Sequence, residues 1–193
     1  MTHFIKICGI TSKEDARMVE AEGADAIGFI LHEESDRFIE IEKVADIVEC
    51  LNNDLDIFLV FVNKAEEFVA NCLDKIPRAI PQFHGDEDAE FCSKFSEDFV
   101  KAVRVNAETN FDNIYNCFAG AKLLLLDSYE EGSYGGTGKS FDWGLISTQL
   151  IIPFLLAGGL DTINVEKALS SVSCKGVDVS SGVESAPGKK DPI

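Results

Sequence analysis

The stretch FIKICGITSKEDARMVEAEGADAIGFI, residues 4–30, predicts a complete strand–helix–strand unit. The apolar run FIKIC forms the first strand, and Ser12 is a suitable N-cap for the helix that follows. Gly23 suits the position just after that helix, and ADAIGFI at 24–30 forms the second strand. Near-continuous apolar strands separated by an amphipathic helix are typical of a parallel sheet that is covered on both faces.

The same alternation continues along the chain, with a strand candidate roughly every 20 to 25 residues. Eight strands, each followed by a helix or a loop, favour an α/β fold, a single-domain (β/α)8 TIM barrel over residues 1–193. A doubly wound open sheet is also compatible with the pattern. The other strand candidates are 56–62, 79–83, 98–105, 121–127, 151–157 and 176–181, and the other helix candidates are 41–52, 65–75, 87–95, 110–117 and 162–171.

The chain is strongly acidic, with 34 Asp and Glu against 17 Lys and Arg and a formal net charge of −17. This charge argues against a nucleic-acid partner, because proteins that bind nucleic acid meet the phosphates with basic surface. No segment approaches the roughly 18 apolar residues of a membrane span, so no membrane partner is expected. An anionic substrate would have to be met by a local positive site.

The six cysteines favour a cytoplasmic protein with reduced thiols. They are widely spaced and form no CxxC pair. The N-terminus carries no signal peptide, because Lys6 interrupts an apolar stretch that is already too short. No cysteines and histidines stand at metal-ligand spacing, so no metal site is predicted.

Residues capable of chemistry follow the C-terminal ends of the predicted strands, which is where the active sites of TIM barrels lie. Cys8 ends the first strand, Arg37 lies in the loop after the second, and Asp127 ends the sixth. Small residues follow the seventh and eighth strands, namely Gly158, Gly159, Ser180, Ser181 and Gly182. The N-terminal ends of the strands carry nothing comparable.

Two of these features predict anion binding. The loops after strands 7 and 8 frequently form the phosphate site of TIM barrels, and backbone N–H groups bind an anion without lysines. The alternative is that these glycines only turn the chain. Arg37 is suited to binding a second anion through two hydrogen bonds, and its alternative is a solvated loop charge.

Asp127 and Cys8 are candidates for acid and base. Asp127 ends a strongly apolar strand, and a desolvated carboxyl group there suits a general acid, although it could simply be a turn residue. A thiol such as that of Cys8 is a usable base where its surroundings favour the thiolate, and otherwise it is a packing residue. The glycine-rich loop after Asp127 contains GGTGK, which lacks the P-loop spacing and is predicted to be a flap. His84, after strand 4, could point into the mouth of the barrel.

Several motifs together resemble the phosphoribosylanthranilate isomerase family of tryptophan biosynthesis. They run in the family's order from residue 6 to residue 191 and are KICGIT, GFILHEESDR, VFVN, QFHGDE, LLLDS with GGTGKSFDW, LAGGL and GVDVSSGVE with PGKKD. The resemblance implies a cofactor-free Amadori rearrangement of a phosphosugar substrate. It makes Cys8 the general base, Asp127 the general acid and Arg37 the group that binds the anthranilate carboxylate. Asp178 matches a further active-site position, where it would orient the anthranilate or Arg37.

The resemblance also places the substrate phosphate on the backbone of Gly158, Gly159, Ser181 and Gly182. A monomer is expected, and neighbouring tryptophan-pathway enzymes are candidate partners. The chain departs from the family in having Asp36 where a proline usually precedes the arginine, and in stopping at KKDPI, so that the final helix of the barrel is expected to be missing or truncated.

Two other functions fit a barrel of this kind. The related isomerase of histidine biosynthesis performs the same rearrangement, but that family has an aspartate where Cys8 stands. A catalytically silent phosphate-sugar binding protein is also compatible with the fold, since a fold does not determine a function. The presence of both Cys8 and Asp127 argues against the silent protein.

Overall fold

The computed structural model describes residues 3–128, 141–146 and 152–192. Eight parallel strands close into a barrel in chain order, with β8 paired to β1, which confirms the predicted TIM barrel and excludes the open sheet. The strands are β1 (Phe4–Cys8), β2 (Ala26–Ile30), β3 (Asp56–Phe61), β4 (Ala79–Phe83), β5 (Val100–Val105), β6 (Leu123–Ser128), β7 (Phe154–Leu156) and β8 (Gly176–Val179).

Helices connect the strands over the outside of the barrel. The helix α1 begins as predicted, because the Ser12 hydroxyl accepts a hydrogen bond from the Asp15 N–H at 3.1 Å. A short 3₁₀ helix at Trp143–Leu145 lies between β6 and β7. The α-helices of the described residues are α1 (Lys13–Ala21), α2 (Ile41–Val48), α3 (Glu66–Lys75), α4 (Ala89–Ser93), α5 (Phe111–Phe118) and α6 (Val165–Ser171).

Alternation along each strand separates two apolar layers. One side of each strand packs against the helices, and the other side fills the barrel. The interior cluster contains Ala26, Phe58, Val100, Ala102, Leu123, Leu125, Leu155 and Ala157. Polar side chains replace this cluster at the C-terminal ends of the strands, and that change of composition creates the site described below.

The pairing of β1 with its neighbours fixes which side chains meet there. Lys6 is opposite Asp178 on β8, and Cys8 is opposite Gly28 on β2. Lys6 and Cys8 are two residues apart on β1, so both side chains point to the same face of the sheet. That face is the inside of the barrel.

A β-hairpin that the sequence did not predict follows β8. It consists of β9 (Glu184–Ala186) and β10 (Lys189–Lys190), and the described residues after β8 contain no helix. The Lys190 N–H donates to the buried Asp15 carboxylate at 3.0 Å, and the Thr11 hydroxyl donates to the Gly188 carbonyl at 2.5 Å. These bonds hold the hairpin against the start of α1, close to the end of β1.

Candidate active site

A cavity opens at the C-terminal ends of the strands. Its volume, counted together with the open solvent at its mouth, is about 770 Å³. It brings together seven of the eight residues that the sequence analysis proposed for the site. Those seven are Cys8, Arg37, Asp127, Gly158, Gly159, Asp178 and Ser181. The eighth, Gly182, instead joins the loops after β7 and β8 through a bridge to Asp161.

Cys8 lies at the end of β1, and its thiol is almost fully buried, with 6% of the residue exposed. Burial raises the pKa of this thiol, because desolvation disfavours the thiolate. The positive charges of Lys6 and Lys190 act in the opposite direction, while the Asp178 carboxylate adds to the increase. The base predicted from the sequence is therefore a buried thiol surrounded by charged groups.

Asp127 lies near the end of β6 and is also buried. One of its carboxylate oxygens, Oδ1, accepts a hydrogen bond from the Ser128 N–H at 2.7 Å. The other, Oδ2, lies 3.2 Å from Nε2 of His84, and Nδ1 of His84 lies 3.2 Å from the side-chain nitrogen of Gln82. The chain Gln82–His84–Asp127 fixes the orientation of the carboxyl group. His84, which the sequence placed only near the mouth, contacts the predicted acid directly.

Arg37 lies in the loop after β2 and is held by Glu184 of the C-terminal hairpin. Its Nε donates to both Glu184 oxygens at 2.9 and 3.1 Å, and its Nη2 donates to one of them at 2.7 Å. Among the described residues no partner accepts from Nη1, so N–H groups remain for a ligand in the cavity. Hydrogen bonding by Glu184 raises the pKa of Arg37, and the negative charge of Asp36 also acts to raise it.

Glu184 itself is fixed from a second side by Lys190. The Lys190 ammonium donates to Glu184 Oε1 at 2.8 Å and to the Ser180 carbonyl at 3.1 Å. Burial alone would raise the pKa of Glu184, but hydrogen bonds from Arg37 and Lys190 outweigh it and lower that pKa. Burial lowers the pKa of Lys190, although its pairing with Glu184 opposes this. The hairpin thus supplies a rigid support for Arg37.

Asp178 lies on β8 and pairs with Lys6 at 2.8 Å. The resemblance suggested that Asp178 orients either the anthranilate or Arg37, but in the structure Glu184 holds Arg37. Lys6 is fully buried, and the positive charge is stabilised there by Asp178 and Cys8, which outweigh desolvation and raise the pKa of Lys6. An ion pair inside the barrel therefore lies directly beside the thiol.

The glycine after Cys8 allows the loop carrying Arg37 to cross the end of β1. Gly9 has φ +77°, and a Cβ there would lie 2.6 Å from Cδ of Arg37 and 2.9 Å from Oγ of Ser180. A side chain at this position would therefore be strained and would also displace Arg37. The KICGIT motif thus needs its glycine both for the turn and for the placement of Arg37.

The loops after β7 and β8 form another part of the cavity wall. Gly158 and Gly159 adopt φ values of +82° and +61°, and the Asn164 side chain donates to the Gly159 carbonyl at 2.8 Å. Ser181 lines the cavity from the β8 side. The sequence placed these small residues at adjacent loops, and the structure brings both loops to the same cavity.

Four side chains of this region were not assigned a role from the sequence, namely Lys6, Gln82, Glu184 and Lys190. A lysine in the middle of an apolar strand is a signal for a buried charge, so Lys6 could have been found. Glu184 and Lys190 gave no such signal, because their position depends on a hairpin with a tertiary anchor.

Within residues 3–128, 141–146 and 152–192, no group of three or more His, Cys, Asp or Glu side chains is arranged to hold a metal ion. None of the helices in this part of the chain has the length and apolar character that a membrane crossing needs. The predicted glycine-rich flap after Asp127 lies outside the described residues.

Comparison with known proteins gives one consistent family. The family model described as N-(5'-phosphoribosyl)anthranilate (PRA) isomerase matches residues 5–193. A curated N-(5'-phosphoribosyl)anthranilate isomerase from Neisseria meningitidis serogroup A is 41% identical over 187 residues, which cover 97% of this chain and 90% of the relative.

Solved structures agree with this family. The crystal structure of phosphoribosyl anthranilate isomerase from Thermotoga maritima is 37% identical, with a TM-score of 0.90 over 99% of this chain and 94% of that one. Another phosphoribosyl anthranilate isomerase structure is a complex with reduced 1-(o-carboxyphenylamino)-1-deoxyribulose 5-phosphate. It is 34% identical, with a TM-score of 0.83 over 99% of this chain and 93% of that one.

Proposed function

This chain belongs to the N-(5'-phosphoribosyl)anthranilate isomerase family, and we propose that it catalyses the isomerisation of N-(5-phosphoribosyl)anthranilate to 1-(2-carboxyphenylamino)-1-deoxyribulose 5-phosphate in tryptophan biosynthesis. The reaction is an Amadori rearrangement by general acid and base catalysis, without a cofactor. A monomer, a cytoplasmic location and contacts with neighbouring tryptophan-pathway enzymes remain predictions from the sequence.

One observation carries the proposal. A buried thiol and a buried carboxyl group, Cys8 on β1 and Asp127 on β6, line the same cavity as an arginine that is held in place. An aldose–ketose rearrangement needs one group to deliver a proton and another to remove one, and the two must reach a single substrate. The related structure that contains a reduced carboxyphenylamino-deoxyribulose phosphate supports a cavity of this kind for that compound.

Asp127 acts first, as the general acid. Its carboxyl group donates a proton to the ring oxygen of the ribose while the bond between C1′ and that oxygen breaks. The lone pair of the anthranilate nitrogen forms the C1′=N bond, which gives an open-chain protonated Schiff base. The bonds from Ser128 and His84 aim the carboxyl group, so that little reorientation is needed when the proton moves.

Cys8 acts second, as the general base. Its thiolate removes the proton from C2′, and the electrons of that C–H bond form the C1′=C2′ bond while the nitrogen regains its lone pair. The resulting enolamine gains a proton at C1′ and loses one from the C2′ hydroxyl, which yields the ketone. A buried thiol suits this step because the acceptor must be shielded from water.

The two anionic ends of the substrate are assigned to separate binding groups. The anthranilate carboxylate pairs with the free N–H groups of Arg37, whose position is set by Glu184. The phosphate lies against the backbone of Gly158, Gly159 and Ser181, in the loops after β7 and β8. A strongly acidic protein can therefore bind a dianionic phosphate through local donors.

The test uses the fluorescence of the anthranilate group. Phosphoribosylanthranilate is generated in solution, the purified protein is added, and the loss of emission is followed for the wild type and for Cys8→Ser. We expect rapid decay for the wild type and a rate lower by about 10² to 10⁴-fold for the variant. Cys50→Ser, which changes a half-exposed cysteine outside the cavity, is the matched control and should keep the wild-type rate. Decay no faster than the spontaneous reaction, from folded wild-type protein, would refute the isomerase proposal.

A further inference from the structure

A buried thiol has to become a thiolate before it can remove a proton, and burial opposes that ionisation at Cys8. Charged groups face Cys8 from several elements of the fold. They are Lys6 on β1, Asp178 on β8, Lys190 on β10 and Arg37 in the loop after β2. The question is which of the cations offsets the cost of burial.

Arg37 and Lys190 are already bonded to the same carboxylate. Glu184 accepts two hydrogen bonds from Nε of Arg37, one from its Nη2 and another from the Lys190 ammonium. Lys190 also donates to the Ser180 carbonyl. The Glu184 carboxylate therefore offsets part of their positive charge.

Lys6 is placed differently, because it shares a small space with the Cys8 sulfur. Gly28 is opposite Cys8 on β2, and a Cβ at Gly28 would lie 2.7 Å from Sγ of Cys8 and 3.1 Å from Nζ of Lys6. The absence of a side chain at Gly28 is what lets the sulfur and the ammonium lie next to each other. Both groups therefore lie beside the same point on β2, and the positive charge of Lys6 acts to lower the pKa of Cys8.

Asp178 pairs with Lys6 but does not use all of its hydrogen-bond donors. The two charges are 2.8 Å apart, and Lys6 is fully buried. Apart from this ion pair, Nζ has no hydrogen-bond partner in the described part of the chain. An ammonium group has three N–H donors, so Lys6 can offer one to an ionised sulfur.

We propose that Lys6 is a positioning residue for catalysis, whose ammonium group stabilises the thiolate of Cys8. The proposal rests on the role of Cys8 as the base in the proposed function. It differs from a purely structural ion pair between Lys6 and Asp178, because it requires the ionisation of Cys8 to depend on Lys6.

The experiment measures that ionisation directly and without substrate. The protein is treated with iodoacetamide at a series of pH values, and the carboxamidomethylated Cys8 peptide is quantified by mass spectrometry, which separates it from the other five cysteines. Because the thiolate is the reactive form, the rate as a function of pH gives the pKa of Cys8 in each variant.

In Lys6→Met we expect alkylation of Cys8 at pH 7.5 to be slower by roughly ten-fold or more, since a nearby opposite charge commonly shifts a pKa by 1 to 3 units. The plateau rate at high pH should be unchanged. Lys6→Met leaves the buried Asp178 carboxylate without its ion-pair partner. The same change is therefore also made in the Asp178→Asn background. Comparing Lys6→Met/Asp178→Asn with Asp178→Asn isolates Lys6 in a protein with no buried unpaired carboxylate.

Lys101→Met is the matched control. Lys101 is another buried lysine, on β5, and it pairs with Glu87 at 3.2 Å and donates to the Gly85 carbonyl. Its removal should leave the alkylation profile of Cys8 unchanged. If Lys6→Met fails to lower Cys8 alkylation in the Asp178→Asn background, or if Lys101→Met lowers it equally, Lys6 has no specific effect on the thiolate and the proposal is wrong.

The pH dependence of kcat/KM provides an independent readout. The acidic limb of the wild-type profile should move to higher pH in Lys6→Met, in the same direction as the alkylation profile. A limb that stays in place while the alkylation profile moves would overturn the catalytic part of the proposal. Absence of isomerase activity in the wild type would instead refute the proposed function, and the alkylation result would still decide whether Lys6 stabilises the thiolate.

Discussion

Around Cys8 the cavity wall is built from ion pairs, whereas around Asp127 it is built from hydrogen bonds. On the Cys8 side, Lys6 pairs with Asp178 at 2.8 Å, and Arg37 pairs with Glu184 at 2.7 Å. All of these charged side chains are largely shielded from water. They are located on β1, β8, the loop after β2 and the C-terminal hairpin.

On the Asp127 side, the contacts are the backbone N–H of Ser128 and the imidazole of His84, which Gln82 holds in turn. No lysine or arginine in the described part of the chain pairs with Asp127. The Asp127 carboxyl group is therefore oriented by the Ser128 N–H and the His84 ring, not by a lysine or an arginine.

This difference fits the chemistry that the proposed function assigns to each side. In the proposed reaction the Cys8 side stabilises two anions, the thiolate and the substrate carboxylate, and its cations are held in place by buried carboxylates. In the same proposal the Asp127 side transfers a proton and needs orientation more than charge. Preorganised groups of this kind reduce the reorganisation that accompanies the reaction.

The largest effect is expected on the Asp127 side. Asp127→Asn keeps the shape of the side chain and an oxygen for the Ser128 N–H, but it removes the acidic proton. The value of kcat should fall by about 10² to 10⁴-fold with little change in substrate binding. Steady-state kinetics measures kcat, and calorimetry measures the binding of a product analogue.

Asp98→Asn is the control for this substitution, because Asp98 forms a surface pair with Lys122 far from the cavity. It should leave both quantities unchanged. If Asp127→Asn kept near wild-type turnover, Asp127 would not be the acid, and the contrast between the two sides would have to be explained by binding alone.

The second effect tests the ion pairs of the Cys8 side. Glu184→Gln removes the charge that holds Arg37, so the substrate carboxylate meets a less ordered partner. Because a hydrogen bond to a charged group is worth about 1.5 to 3 kcal/mol, KM should rise by about 10 to 100-fold while kcat changes little. The measurement compares the normal substrate with its aniline analogue, which lacks the carboxylate.

The KM of the aniline analogue should be nearly the same in Glu184→Gln and in the wild type. Glu66→Gln is the control, since Glu66 forms an exposed pair with Lys94 at 2.8 Å. An equal loss for both substrates would show that Glu184 supports the whole cavity and not the recognition of the carboxylate by Arg37.

The same contrast separates what could be predicted from the sequence from what could not. The barrel, the ends of its strands and the candidates Cys8, Arg37 and Asp127 follow from local periodicity and from the rule that barrel strands end at the active site. The family resemblance supplied Asp178 and the chemistry. Each of these residues lies in a predicted strand or in the loop after one, so the strand pattern is enough to locate it.

Glu184 and Lys190 could not be found in this way, because their role depends on a hairpin that folds back onto Asp15 and Arg37. Tertiary pairing of this kind leaves no periodic signal in the sequence. The pairing of Lys6 with Asp178 required the register of β1 against β8, which follows only from closure of the barrel. Local patterns therefore indicate the candidate reacting groups more readily than the side chains that hold them in place.

A smaller effect is expected from the support of Asp127. His84→Leu removes the imidazole that contacts Oδ2 and leaves Gln82 without its partner. Because a typical hydrogen bond contributes about 0.5 to 1.5 kcal/mol, kcat should fall by about 2 to 10-fold. His3→Asn, a change at an exposed position, should have no effect. A fall as large as that of Asp127→Asn would show that His84 itself transfers a proton.

The smallest effect concerns stability and comes from the Glu184 carboxylate. Hydrogen bonds from Arg37 and Lys190 overcome the effect of burial and lower the pKa of Glu184 below its ordinary value. A group with a lowered pKa in the folded state stabilises the protein above its unfolded pKa, and this contribution is lost as the pH falls through the folded pKa. Glu184→Gln should therefore lower the free energy of unfolding by about 1 kcal/mol at pH 7.

The pH dependence of that loss distinguishes charge from packing. As the pH falls from the ordinary pKa of a glutamate, about 4.3, through the lower pKa of Glu184 in the folded protein, the stabilisation by the charge is lost and the difference between the two proteins should shrink towards zero. Urea denaturation at pH 7 and at several values below pH 4.5 measures it. A difference that stayed constant over this range would mean that Glu184 contributes through shape. Arg37 would then be held on the cavity wall by packing, and the Cys8 side would depend less on paired charges than the comparison with the Asp127 side implies.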